Sequence, residues 1–112
     1  MEDAIVIKLA DRYCDDVLRE LKVSTVRRGR CPYPLGPGIL RTPSVDIGIE
    51  ICRITYCRYY SLNEEDARKD GFTSLRKLQR ALTEFYPGIS MDYEEELTIV
   101  EFSHPILVWR SV

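Results

Sequence analysis

Asp46-Ile-Gly-Ile-Glu-Ile-Cys-Arg-Ile-Thr-Tyr-Cys-Arg-Tyr-Tyr60 is a long β-forming run whose alternation breaks once. Ile47, Ile49 and Ile51 share one face at the two-residue period of a strand, and Ile54 and Tyr56 resume the alternation one residue out of phase. A slip of this kind marks a β-bulge, which bends a long strand and lets it curl around a barrel. Cys52 and Cys57 fall in the same run, where thiols are expected to behave as small buried hydrophobes.

Working outward, the flanks alternate between element types. Upstream, residues 31–38, Cys-Pro-Tyr-Pro-Leu-Gly-Pro-Gly, carry three prolines and two glycines and read as a rigid surface loop without regular structure. Residues 4–9 form a short strand, and Asp11 begins a helix with Cys14, Val17, Leu18 and Leu21 at helical spacing. Downstream, Ser61-Leu-Asn-Glu64 is a capping box that starts a short helix at Leu62, ending near Asp70-Gly71. A second helix is capped by Thr73 or Ser74, buries Leu75, Leu78, Leu82 and Phe85, and stops at Pro87-Gly88. The acidic stretch from Asp92 to Glu96 reads as a solvated turn, and residues 97–102 and 106–109, the latter ending in Trp109, as two closing strands. Bent strands interleaved with short helices predict an α+β domain on a compact β-barrel.

The chain has 112 residues, 45% hydrophobic and 30% charged, enough for one globular domain spanning 1–112. No apolar run is long enough to span a membrane, and the start, Met-Glu-Asp-Ala, lacks the basic end of a signal peptide, so a cytoplasmic location is expected. The four cysteines have no C-x-x-C spacing and the one histidine, His104, precedes Pro105, so neither a metal nor a cofactor is expected. Asn63 and Gln79 are the only side-chain amides, a depletion of thermolabile residues that fits a heat-loving source. In such a source an intracellular Cys14–Cys31 disulfide is conceivable. The sequence leaves the oligomeric state open, with a monomer as the starting expectation.

Charge is uneven along the chain. Residues 19–58 hold eight Lys and Arg against three Asp and Glu, a local +5 within an overall −2. Such a segment attracts a nucleotide or a short RNA better than a duplex, although surface salt bridges account for it equally well. Its densest part is Leu21-Lys-Val-Ser-Thr-Val-Arg-Arg-Gly-Arg30.

Lys22-x-x-Thr25-x-Arg27, then Ala67-Arg-Lys-Asp-Gly-Phe72, a Leu-rich helix over 75–86, Pro87-Gly88 and Val100-Glu-Phe102 follow one another in an order that resembles the ASCH domain family, small relatives of the PUA fold. The resemblance covers most of the chain. It implies a PUA-like β-barrel with flanking short helices and a cleft beside the Lys-x-x-Thr segment, in a fold associated with RNA binding or modified-nucleotide recognition. Within the family the order is similar to a small bacterial amidohydrolase that deacetylates N-acetylated cytidine. That likeness implies a catalytic set at Lys22, Thr25 and Asp70. Asp70 stands where the family has glutamate and is one methylene shorter, which puts its hydrogen-bond reach in question.

The chemistry sets its own conditions. Residues three apart on a straight strand face opposite ways, so Lys22 and Thr25 meet only if the chain turns between them. Threonine is a weak nucleophile that needs a neutral amine to take its proton. Burial and Arg27 would lower the Lys22 pKa, and an ionised Asp70 would raise it. The same residues also have plain structural readings: Lys22 as a cation at a helix C-terminus, Thr25 as a β-former, Asp70-Gly71 as a turn. Two function classes result. One is an amide hydrolase acting on an acylated cytidine or related nucleoside. The other is a non-catalytic RNA-binding module that uses Lys22, Arg27, Arg28, Arg30 and Arg41 on phosphates and Tyr33 or Tyr59 for stacking.

Overall fold

A computed structural model describes residues 4–91 and 93–108. Asp92 and Trp109, assigned above to a turn and a strand, lie outside the described residues. Five strands form one curled sheet: β1 (Ile5–Lys8), β2 (Ser24–Arg28), β3 (Gly36–Arg41), β4 (Asp46–Arg58) and β5 (Glu96–Val108). Their order is β1-β3-β4-β5-β2, with β1 parallel to β3 and the other neighbours antiparallel. Three short helices flank the sheet: α1 (Cys14–Leu18), α2 (Glu64–Lys69) and α3 (Leu75–Phe85). No helix among the described residues is long and apolar enough to cross a membrane.

The long strand bends as its sequence predicts. The β4–β5 register shifts between Gly48 and Glu50 and again between Ile51 and Arg53. Ile47, Ile49 and Ile51 are buried. Cys52 is the extra residue of the second shift, which turns its side chain out; the expected buried thiol is exposed. Cys57 is half-buried, and all four thiols are free, so Cys14 and Cys31 are not joined.

Several expected boundaries move. The segment 31–38 is not wholly irregular, because Gly36-Pro37-Gly38 opens β3. Pro37 pairs with Glu50 of β4 but precedes the reach of β1, which begins at Gly38, so its missing N–H falls at the open edge. Gly38 leaves room for Ile51, whose Cδ1 would stand 2.9 Å from a Cβ at this position. The two closing strands are one; His104, with a φ of 55°, and Pro105 fall in a break of its pairing with β4, between Ser103 and Ile106. The first helix ends at Leu18, short of Leu21, which is exposed.

The cap of α2 is shifted too. Asn63 Oδ1 accepts from the Asp66 amide at 2.8 Å and Asp66 Oδ2 from the Asn63 amide at 3.0 Å. This reciprocal box outcompetes the one expected at Ser61, whose hydroxyl serves Arg58 in the preceding turn. Ser74 caps α3 as expected, its Oγ accepting from the Lys77 amide. Leu78 and Leu82 are buried, while Phe85, expected in the buried stripe, is 47% exposed.

Two apolar clusters hold the sheet. Ile7, Leu9, Val17, Leu40, Ile47, Ile51 and Phe102 belong to the first; Val26, Ala67, Leu78, Leu82, Leu97 and Ile99 belong to the second. The edge strands β1 and β2 share no backbone ladder, but Arg27 of β2 donates through Nη2 to the Lys8 carbonyl of β1. One guanidinium thus clasps the open side of the half-barrel.

Candidate active site

Lys22 sits in a turn rather than on a helix. Glu20 takes a left-handed φ of 59° after α1, and the amides of Leu21 and Lys22 both donate to the Asp16 carbonyl, at 2.8 and 3.1 Å. The Val23 amide then donates to the Lys69 carbonyl at 2.7 Å, tying this turn to the end of α2. That end is closed by paired bonds, Gly71 N–H to Arg68 C=O and Phe72 N–H to Ala67 C=O, which need a left-handed residue at position 71. Gly71 supplies it with φ +88°, and its bare Cα lets the two segments touch: a Cβ there would stand 3.2 Å from the Lys22 Cβ.

This close approach offsets the missing methylene. Lys22 Nζ donates to the Asp70 carboxylate Oδ1, and to the Asp70 backbone carbonyl at 3.3 Å. Lys22 and Asp70 are only 3% and 4% exposed, so the pair is shielded from water. Burial first, and the charge of Arg27 second, pull the Lys22 amine down to about 7, with Asp16 opposing. An ionised carboxylate in contact favours the ammonium, against the pull of burial. Nζ also lies 5.2 Å from the centre of the Tyr13 ring.

Thr25 is the second residue of β2, 2% exposed. Arg27 Nη1 donates to Thr25 Oγ1 at 2.6 Å and to the Val26 carbonyl at 2.9 Å. Burial lowers the Arg27 pKa, yet a guanidinium stays charged in a protein. A cation donating to a hydroxyl oxygen stabilises negative charge that develops there. Among the described contacts the Lys22 amine bonds Asp70 rather than Thr25.

Lys22, Thr25, Arg27 and Asp70 line one cavity of about 610 Å³ where the two apolar clusters meet. Leu9, Ala10, Phe72 and α3 also line it, with Lys8 of β1, Arg41 of β3 and the adjoining Thr42 on the β1–β3 side. Among the described residues no group of three or more His, Cys, Asp or Glu gathers as a metal site would require.

No family model matches the chain, and no curated protein matches it. Solved structures do. The ASCH domain from Lactobacillus crispatus JV V101 superposes with a TM-score of 0.67 at 19% identity, over 95% of this chain and 81% of that one. Two mutant proteins of ZmASCH from Zymomonas mobilis superpose with TM-scores of 0.59 and 0.58, each at 17% identity, over 95% of this chain and 87% and 88% of theirs. This chain has the ASCH fold.

Within the ASCH fold the other expected binding residues scatter. Arg28 pairs with Glu95 at 2.7 Å, and Arg30 lies 3.7 Å from Glu96 with its guanidinium over the Tyr56 ring at 3.8 Å. Arg41 lines the cavity but holds Asp46 through two bonds of 3.0 and 2.9 Å. Tyr59 corrects the sequence reading most sharply. It is 3% exposed, set in the second cluster against Tyr93, and cannot offer a ring face to a base. Tyr33 packs against the first cluster and is not part of the cavity wall. The acidic stretch is likewise more than a solvated turn, since Glu95 and Glu96 neutralise the two arginines.

The sequence reading missed Tyr13 and Tyr86, both on the cavity wall. Tyr86 had a signal, since it opens the Tyr-Pro-Gly stop of α3. Tyr13 had none, because its position depends on the turn that precedes α1.

Proposed function

We propose that the protein is an amide hydrolase that removes an acyl group from an acylated cytidine or a related nucleoside. The observation that supports this reading is the convergence of buried Lys22, Thr25 and Asp70 on one cavity, with the lysine pulled to about 7. An amine with that pKa is half neutral near pH 7, whereas an ordinary lysine, near 10.4, is almost wholly charged. It can therefore accept a proton under mild conditions.

The steps follow from these positions. Neutral Lys22 takes the Thr25 hydroxyl proton as Oγ1 attacks the amide carbonyl carbon. Negative charge moves to the carbonyl oxygen beside the Arg27 guanidinium. The C–N bond then breaks, the leaving exocyclic amine takes the proton from the Lys22 ammonium, and cytidine departs. Water, deprotonated by Lys22, cleaves the threonine ester and releases the carboxylic acid. Asp70 holds the lysine in place throughout. If Thr25 instead orients the attacking water, the same proton acceptor serves.

The experiment is incubation with cytidine acetylated on its exocyclic amine, with products followed by chromatography. Wild type should release cytidine and acetate. Thr25→Val, which keeps the β-branched shape, and Lys22→Ala should each lose at least about 100-fold in turnover. An RNA-binding module would instead leave the nucleoside intact and bind RNA with a steep salt dependence. Wild-type turnover by Thr25→Val would sink the proposal.

A further inference from the structure

The cavity is divided by chemistry. Lys22, Thr25, Arg27 and Asp70 lie on β2, the Lys22 turn and the end of α2, where the carbonyl carbon must sit for Thr25 to reach it. α3 lines the same cavity with one stripe, Leu78, Ala81, Leu82 and Phe85, at the i, i+3, i+4, i+7 spacing of a single helical face. Phe72 and Tyr13 extend that wall, with ring centres 6.1 Å apart and Tyr13 a further 6.3 Å from Phe85. Apart from the Tyr13 hydroxyl, no side chain in this set can donate or accept a hydrogen bond.

A nucleoside carries ring nitrogens and ribose hydroxyls that need partners, and burying them against this wall would leave them unpaired. Lys8 and Arg41 bring N–H donors to the β1–β3 side of the cavity, although Arg41 Nε and Nη2 are taken by Asp46 and the Thr42 hydroxyl by Ser44 and Val45. The nucleoside therefore belongs on that side and the acyl substituent against α3. An acetyl methyl covers little of a wall built from three aliphatic or small residues and three rings. Phe85 is still 47% exposed at the wall, apolar surface that a larger group would cover.

We infer that the substrate carries a bulky apolar acyl group, an arylacyl such as benzoyl, in preference to acetyl; this rests on the amide-hydrolase reading. The test compares kcat/KM for cytidine benzoylated and acetylated on the same exocyclic amine, in wild type and in two variants. Wild type should favour the benzoyl compound by about tenfold or more, since each added methylene against an apolar pocket is worth roughly 10–200-fold. Ala81→Phe fills the wall and should cut the benzoyl-to-acetyl ratio by about tenfold. Phe85→Ala, at a half-exposed position, should lower the same ratio. A wild-type ratio at or below one, with acetylcytidine hydrolysed, overturns this inference and leaves the hydrolase reading standing. Hydrolysis of neither compound overturns both. A preference for benzoyl that both variants leave unchanged overturns the placement of the acyl group against α3.

Discussion

At the scale of single residues, the site depends on two buried opposite charges in contact. Lys22 and Asp70 were readable as a pair only through the ordered motifs around them, because their separation of 48 positions carries no local signal. The substitution of aspartate for glutamate left their contact undecided in the sequence. The backbone decides it, through the Val23–Lys69 bond and the bare Cα of Gly71. Asp70→Asn keeps the shape and removes the charge, leaving a buried ammonium without its counter-ion. Breaking a buried pair costs at most about 3–5 kcal/mol, less what the amine recovers by shedding its proton, so urea denaturation at pH 6 should show a loss of more than about 1 kcal/mol. A loss below about 1 kcal/mol would mean that Asp70 does not hold Lys22 by charge. Tyr59 shows the opposite limit of sequence reading. A tyrosine after a strand is equally suited to a stacking platform or a core, and only the packing of Ala67, Leu78 and Leu97 around the second cluster chooses.

At the scale of elements, strong local patterns survived and weak ones moved. The bulge in β4 was legible because a phase slip in an alternating run has one physical meaning, whereas β3 was hidden by Gly36-Pro37-Gly38. Proline and glycine normally argue against a strand; an edge position and a close neighbour made them acceptable. The end of α2 was legible at Asp70-Gly71 because glycine alone takes the left-handed position without penalty. Gly71→Ala combines a strained φ, at roughly 1–2 kcal/mol, with a Cβ pressed against Lys22 at 3.2 Å. The midpoint of thermal unfolding should fall, and turnover should fall with it, because the contact between Lys22 and Asp70 is pushed apart. A variant that loses stability but keeps full turnover would show that this approach does not set the site's geometry.

At the scale of the whole molecule, the charge asymmetry of the sequence is largely cancelled by folding. Arg28, Arg30, Arg41 and Arg53 of the basic segment each meet a carboxylate, three of them on β5 or just before it and one on β4. Sequence counting cannot see this, since the carboxylates lie up to 67 positions away. The Arg28 and Arg30 side chains are themselves largely exposed, so Arg28→Ala with Arg30→Ala should cost about 1 kcal/mol or less in stability. Hydrolysis of a neutral nucleoside should be unchanged in the double variant, and a large loss of kcat/KM would place these arginines in substrate binding after all. The polar set inside the cavity is centred on the Lys22 amine, which burial pulls down to about 7. Its protonation state gives the most direct test of the account, the pH dependence of kcat/KM for acylated cytidine. The base form is the neutral amine, so activity must rise with pH through the pKa. The account predicts a tenfold rise per pH unit below about 7 and a plateau above it, the limb being absent in Lys22→Ala. A limb centred near the ordinary lysine value of about 10.4, or a rate that does not change between pH 5 and pH 9, would contradict it.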